Sequence, residues 1–268
     1  MQDKIFRKKG LGLGKNSNRR KARNRYWVFG YHPVKAALLN LNRVNYRLIL
    51  TQNAANKLQK DMGTLDHLKP EIQSSKFIAD LLGSDATHQG FALEVEPLPE
   101  YGLSSLDLTK EPFKPVVLLD QVTDPQNVGA ILRSSEAFFG KAVITTSRNT
   151  PVESGVLAKA SSGAIERIPL IRVSNLSVAM KVLKDHGCWL IGLDPLGEDE
   201  LENVIQATSD VKISFVMGSE GRGLRESVRN QCDYLAKIAI SSTIDSLNVS
   251  NAASICLYSA HVIRNKSY

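Results

Sequence analysis

From Val116 onward, short apolar segments alternate with helical ones, and that alternation limits the chain to few folds. The segments 116–119, 142–145, 170–173, 189–193, 213–217 and 236–240 read as six strands. Each is only four or five residues long and apolar through most of its length, the mark of a strand covered on both faces. Helices are expected near 128–139, 155–162, 177–184, 225–231 and 247–263. The expected fold class is α/β, a mostly parallel sheet with helices on both sides.

The 268 residues, 43% of them hydrophobic, suffice for one large core or for a medium and a small one. Residues 27–97 read as a smaller α/β unit. Trp27-Val28-Phe29-Gly30 leads into a helix with Pro33 in its first turn, and strands are expected at 46–50 and 91–95. Helices are expected at 53–62 and 76–82 between them. Nothing in this unit has the makings of a catalytic constellation, so substrate capture is its expected role. Pro97, Pro99, Gly102, Pro112 and Pro115 punctuate the next stretch, which places a linker at 98–114 and a larger domain at 115–268.

The formal charge of +7 is unevenly distributed. Residues 1–26 hold ten Lys or Arg against Asp3, a net of +9, which leaves the remainder at −2. With Gly10, Gly12, Gly14, Asn16, Ser17 and Asn18 and little apolar periodicity, this arm is expected to be disordered. It suits a polyanion such as RNA, though a solubilising tail or a targeting peptide has a similar composition. A secretory signal is excluded by the missing apolar core, and Asp3 weighs against a transit peptide. No run of about 18 apolar residues exists, so no membrane partner is expected. Cys188, Cys232 and Cys256 are widely spaced in apolar contexts, consistent with reduced thiols and a cytoplasmic location. No metal-ligand cluster is apparent among the scattered His32, His67, His88, His186 and His261.

Three segments at strand-to-helix junctions could carry chemistry. The first is Asp124-Pro125-Gln126-Asn127-Val128-Gly129, with Arg133 about 9 Å further along the helix. On spacing alone, an Asn cap and a surface Arg would explain it. The second is Gly218-Ser219-Glu220-Gly221-Arg222-Gly223, whose glycines permit positive φ and close backbone approach. It follows a late strand, whereas a dinucleotide loop follows the first, and this argues against a nicotinamide oxidoreductase. Glu220 would repel a phosphate but suits a sulfonium or a ribose hydroxyl. The third is Ser246-Leu247-Asn248-Val249-Ser250-Asn251, where Ser246 or Asn248 can cap the last helix. Val249, Ala253, Cys256, Ala260 and Ile263 form its apolar stripe, and its small residues permit close packing.

In this order the three segments resemble the SpoU (TrmH-type) RNA ribose 2′-O-methyltransferases, most closely those acting on guanosine in bacterial 23S ribosomal RNA. Phe29-Gly30-Tyr31-His32-Pro33-Val34 and His88-Gln89-Gly90 resemble an L30e-like substrate domain. The resemblance implies a trefoil-knotted C-terminal domain, a homodimer formed through it, and S-adenosylmethionine as cofactor. It implies contacts to that cofactor from Gly218, Gly221, Ile238 and Leu247, and catalytic roles for Asn127, Arg133, Glu220, Ser246 and Asn248. Arg133 would bind a phosphate and steady the developing alkoxide, with Glu220 holding Arg133 or a neighbouring amide. Two positions depart from the family pattern: Ala239 replaces a frequent Pro, and Asn251 a frequent apolar residue. The alternatives are the same reaction on transfer RNA, or a non-catalytic RNA-binding factor that retains the fold.

Overall fold

The structure is a computed structural model that describes residues 25–63, 68–109, 114–148 and 150–265. Of the basic arm, residues 1–24 lie outside the described residues.

The N-terminal unit runs β1 (Tyr26–Phe29), α1 (Tyr31–Leu39), β2 (Asn45–Leu50), α2 (Gln52–Met62), β3 (Glu71–Ile72), α3 (Ser75–Leu82) and β4 (Phe91–Val95). Its sheet has the order β1-β4-β2-β3. Strand β4 is antiparallel to both neighbours, and β3 is parallel to β2. Thr51 and Ser74 cap α2 and α3 by accepting the Ala54 and Phe77 N–H groups, which accounts for where these helices start.

The second unit runs β5 (Val116–Leu119), α4 (Pro125–Ala137), β6 (Ala142–Thr146), α5 (Gly155–Ala160), β7 (Leu170–Val173), α6 (Leu176–Asp185), β8 (Cys188–Leu193), β9 (Asp199–Glu200), α7 (Leu201–Ala207), β10 (Lys212–Met217), α8 (Glu226–Arg229), β11 (Tyr234–Lys237) and α9 (Val249–Asn265). Its seven strands are ordered β7-β6-β5-β10-β8-β11-β9, and every pairing between them is parallel. Every residue of β5 and β6 is buried, as expected of strands covered on both faces. From β5 the chain moves outward to β6 and β7, then returns on the other side of β10. The order therefore reverses between β5 and β10, the place where open α/β sheets bind ligands.

Several elements differ from the sequence expectation. The sheet has seven strands, not six, because the two-residue β9 pairs with β11. Helix α7 was not anticipated; its short apolar stripe, Leu201, Val204 and Ile205, is buried. Strand β11 begins at Tyr234 and ends at Lys237, two to three residues earlier than expected. Its partners β8 and β9 extend no further, so Ile238–Ile240 leave the sheet. Helix α4 begins at Pro125 because Asp124 caps it. Between the two units, Tyr101, Leu103 and Leu106 pack on the core around the buried Leu108.

One apolar cluster crosses both sheets, joining Val28, Leu48 and Leu93 to Val117, Leu157 and Ala164. The approach is close: a Cβ on Gly155 would lie 2.2 Å from the Trp27 carbonyl oxygen. Beside it is a buried ion cluster. Arg43 donates from Nη2 and Nε to both Glu166 oxygens (2.6 and 3.1 Å) and from Nη1 to Glu153 (2.6 Å). Asn40 donates to Glu166, and the Tyr26 hydroxyl and the Leu98 N–H donate to Glu153. Every charge removed from water here is hydrogen-bonded, the condition under which such a cluster persists.

Candidate active site

Three loops leave the carboxyl ends of β5, β10 and β11 on the same edge of the sheet. Met217 of β10 lies level with Leu119 of β5, and the Asp120 N–H donates to the Met217 carbonyl (2.8 Å), so the first two loops start together. The loop after β5 turns at Gln121, a non-glycine residue with φ 60°. Asp124 then accepts the Gln126 N–H, Pro125 opens α4, and Asn127 falls in the first turn. The cap is thus Asp124, and the Asn127 side chain is left for another use.

The glycine loop closes on itself: Ser219 and Gly223 exchange two backbone hydrogen bonds (3.1 and 2.9 Å). Gly221 and Gly223 have φ of 77° and 66°, and a Cβ on either would meet nothing within 4 Å. Glycine is required there by backbone angle, and the outer face of the loop is open. Gly218 is different, since a Cβ would sit 2.2 Å from the Gly223 carbonyl carbon.

Asn127, Glu220 and Asn248 meet in one hydrogen-bonded group although they come from three separate loops. Asn248 Oδ1 caps α9, accepting the Ser250 N–H (2.9 Å), the Ser250 hydroxyl (2.6 Å) and the Asn251 N–H. This leaves Nδ2 pointing the other way, where it donates to Asn127 Oδ1 (3.0 Å) and Glu220 Oε1 (2.6 Å). Asn127 Nδ2 donates to the same Glu220 oxygen (3.0 Å). The helix cap therefore decides which end of the Asn248 amide faces Glu220, an orientation that would otherwise be ambiguous. Among the described residues, Glu220 Oε2 and the second Asn127 amide hydrogen have no partner; Glu220 is exposed and Asn127 half-buried.

Of the other expected site residues, Arg133 is exposed on α4 and pairs with no described residue, Glu220 included. Ser246 is exposed and takes no part in the cap. Leu247 is half-buried, and Ile238 packs against the main core, which leaves their backbone groups as the means of contact. Two residues the sequence reasoning passed over are Asp120 and Arg225. The Arg225 N–H and Nε donate to the Asp120 carboxylate (3.0 and 2.8 Å), tying the exit of the glycine loop to the end of β5. A carboxylate directly after Val116-Val117-Leu118-Leu119 was the signal available for it. The thiols offer little: Cys188 and Cys256 are buried, and burial pushes Cys232 up to about 12.

Residues 114–258 match the model of the SpoU rRNA Methylase family, and residues 27–101 match that for RNA 2′-O ribose methyltransferase substrate binding. The chain belongs to the SpoU rRNA methylase family. This family of RNA ribose 2′-O-methyltransferases uses S-adenosylmethionine. A Staphylococcus epidermidis protein assigned to the TrmH family of tRNA/rRNA methyltransferases is 33% identical over 246 residues, 89% of this chain and 96% of the relative. The Vibrio vulnificus 23S rRNA (guanosine-2′-O-)-methyltransferase RlmB is 32% identical over 238 residues, 87% and 95% of the two chains. The fold is similar to that of the SpoU methyltransferase AviRb of Streptomyces viridochromogenes in complex with AdoMet, at a TM-score of 0.73 and 22% identity over 94% of each chain. Among the described residues, no helix is long and apolar enough to cross a membrane.

Proposed function

We propose that this SpoU-family chain transfers a methyl group from S-adenosylmethionine to the ribose 2′-hydroxyl of a guanosine in 23S ribosomal RNA, acting as a cytoplasmic homodimer. The observation that carries the reading is the Asn127–Glu220–Asn248 group, which joins all three motif loops at the reversal of strand order. A non-catalytic factor would have no use for a solvent-facing carboxylate held by two amides. The name of the Vibrio relative, a 23S rRNA (guanosine-2′-O-)-methyltransferase, supports the substrate. On this reading residues 27–97 capture RNA, 98–114 connect, 115–268 carry the chemistry, and the arm 1–26 adds sequence-independent attraction to phosphate.

The residues present fit the cofactor. Gly221 and Gly223 leave an open backbone face, and Gly218, Ile238 and Leu247 contribute further main-chain groups on the same edge of the sheet. When bound, S-adenosylmethionine supplies an electrophilic methyl on a sulfonium. Glu220 and Asn127 orient the reacting groups through the oxygen and amide hydrogen left over from their mutual contact. The Ser246 hydroxyl adds a further polar contact. Arg133, exposed and unpaired among the described residues, binds the adjoining phosphate and stabilises negative charge as it develops on the 2′-oxygen. A guanidinium stays protonated at working pH, so the proton leaves to that phosphate or to water.

The name of the Staphylococcus relative also covers tRNA, which keeps transfer RNA as the second reading. Labelled S-adenosylmethionine incubated with unmodified 23S rRNA and, separately, with tRNA, followed by nucleoside analysis, tests both. Label in 2′-O-methylguanosine from 23S rRNA alone is expected; label from tRNA alone would overturn the substrate, and none from either would overturn the activity.

A further inference from the structure

A cleft of ≈ 910 Å³ opens in the N-terminal unit, beside the first turns of α1, α2 and α3. Small-molecule sites of this size are lined mostly by apolar side chains. This one has apolar walls from Ala54, Ala86 and Phe91 as well, but carries an unusual number of polar side chains, the carboxamides of Gln52, Asn53, Gln73 and Gln89 and the hydroxyls of Thr51, Ser74, Ser75 and Thr87. Carboxamides offer donor and acceptor side by side, the pattern that pairs with the edge of a nucleobase. Hydroxyls suit phosphate and 2′-hydroxyl groups. Among the described residues Lys57 is the lysine of the lining and no carboxylate lines the cleft, though the Tyr31 hydroxyl donates to Asp61 beside it; the Lys57 Nζ lies 3.8 Å from the centroid of the Tyr31 ring. Tyr31, His32 and His88 add planar rings at the wall, on which an unstacked base can lie.

The cleft is also fixed relative to the candidate active site. Lys159 of α5 donates to Gln89 Oε1 (3.3 Å), which also accepts the Tyr31 N–H (3.2 Å). Helix α5 in turn packs against α4, the helix that carries Asn127 and Arg133, so tightly that a Cβ on Gly129 would lie 2.4 Å from the Ala160 Cβ. The Arg43–Glu153–Glu166 cluster holds the two units together nearby.

From these observations we infer that the cleft is a readout site for an unpaired nucleotide of the RNA substrate, held at a set offset from the ribose that is methylated. The inference rests on the proposed function and specifies how that substrate is recognised. Amides read the base edge, a ring stacks on its face, and Lys57 meets the phosphate. Because α5 and the ion cluster tie the cleft to α4, the nucleotide chosen here determines which ribose arrives at Arg133.

The test uses the full chain and an unmodified 23S rRNA transcript. Gln52 and Asn53 are exposed in the first turn of α2, so the double variant Gln52→Ala/Asn53→Ala removes two readers without opening the core. It should weaken RNA binding about tenfold, the worth of one two-point amide–base contact. Its affinity for S-adenosylmethionine should equal that of the parent. Lys57→Gln should reduce the salt dependence of RNA binding by about one unit of slope, and photo-cross-links from the transcript should fall within residues 51–57 or 86–91. Unchanged RNA affinity in the double variant, or cross-links confined to other segments, would overturn the inference; that is also the result expected if the cleft receives a protein. Weakened RNA binding in a protein that transfers no methyl group would uphold the cleft and sink the proposed activity.

Discussion

Asp120 receives both the backbone N–H and the guanidinium of Arg225, yet the two side chains differ sharply in exposure, 0% for Asp120 and 44% for Arg225. Water can replace Asp120 as a partner for Arg225, but it cannot reach Asp120. Deleting the arginine therefore leaves a buried carboxylate without a counter-charge, whereas neutralising the aspartate leaves a guanidinium that is already half solvated. Arg225→Ala should destabilise by about 3 kcal/mol and Asp120→Asn by about 1 kcal/mol. The double variant should be more stable than Arg225→Ala alone. Urea unfolding of the three variants checks the order, and equal losses in the two single variants would contradict it.

Asn248 has two separable duties, since its oxygen caps α9 and its amide nitrogen holds Asn127 and Glu220. Aspartate caps helices about as well as asparagine, but it cannot donate and would face Glu220 with a like charge. Asn248→Asp should leave the unfolding free energy from urea titration within about 0.5 kcal/mol of the parent. Cofactor affinity should fall at least about tenfold, about 1.4 kcal/mol, as read by calorimetry. A matched loss of stability and affinity would mean that the residue serves the helix alone.

How much of this was legible beforehand follows from how local each signal is. The short buried strands declare themselves because a strand covered on both faces has little freedom in composition, so the apolar segments 116–119 and 170–173 coincide with β5 and β7 residue for residue. The three motifs were legible as residue types at junctions. Their meeting was not, because Asn127 and Asn248 are 121 positions apart and a helix cap orients the amide between them. The Arg43 cluster was invisible for the same reason, its partners being 110 and 123 residues away. Strand β11 was misplaced because the apolar Ile238 and Ile240 prolong its pattern, while the sheet stops where its neighbours stop.

Arg43 offers a test of whether the two sheets unfold together. Its side chain is fully buried against Glu153 and Glu166, which come from the second unit. Arg43→Met would leave both carboxylates facing each other away from water. A loss of about 3–5 kcal/mol is expected, with one calorimetric transition becoming two as the units lose their shared charge. A single transition at a lowered midpoint would show that the apolar cluster alone couples them.

Arg133 is predicted to act on turnover and not on cofactor binding. Nothing described pairs with it, so its removal should cost little stability, within about 0.5 kcal/mol. Arg133→Ala should retain S-adenosylmethionine affinity and lose methyl transfer about a hundredfold or more. Arg133→Lys restores the charge as a point, without the planar fork that meets two phosphate oxygens, and should recover only part of the rate. Single-turnover transfer under saturating cofactor separates these outcomes; a lysine variant at full rate would remove the two-point contact from the mechanism.

His88 makes the cleft sensitive to acid. Burial, assisted by the nearby Lys159, holds its imidazole below the usual histidine range, and its neutral Nδ1 accepts the Gly90 N–H (3.0 Å). Above about pH 6.5 the ring is neutral in both the folded and the unfolded chain, and this contact is intact. As pH falls below that value the unfolded chain takes up a proton first, so stability is lost until the folded-state pKa is passed. His88→Asn supplies an oxygen that can accept the same N–H without titrating. Melting temperature should therefore drop more between pH 7.5 and pH 5 in the parent than in His88→Asn. Parallel curves for the two proteins would mean that protonation of His88 leaves the Gln89–Gly90 turn undisturbed.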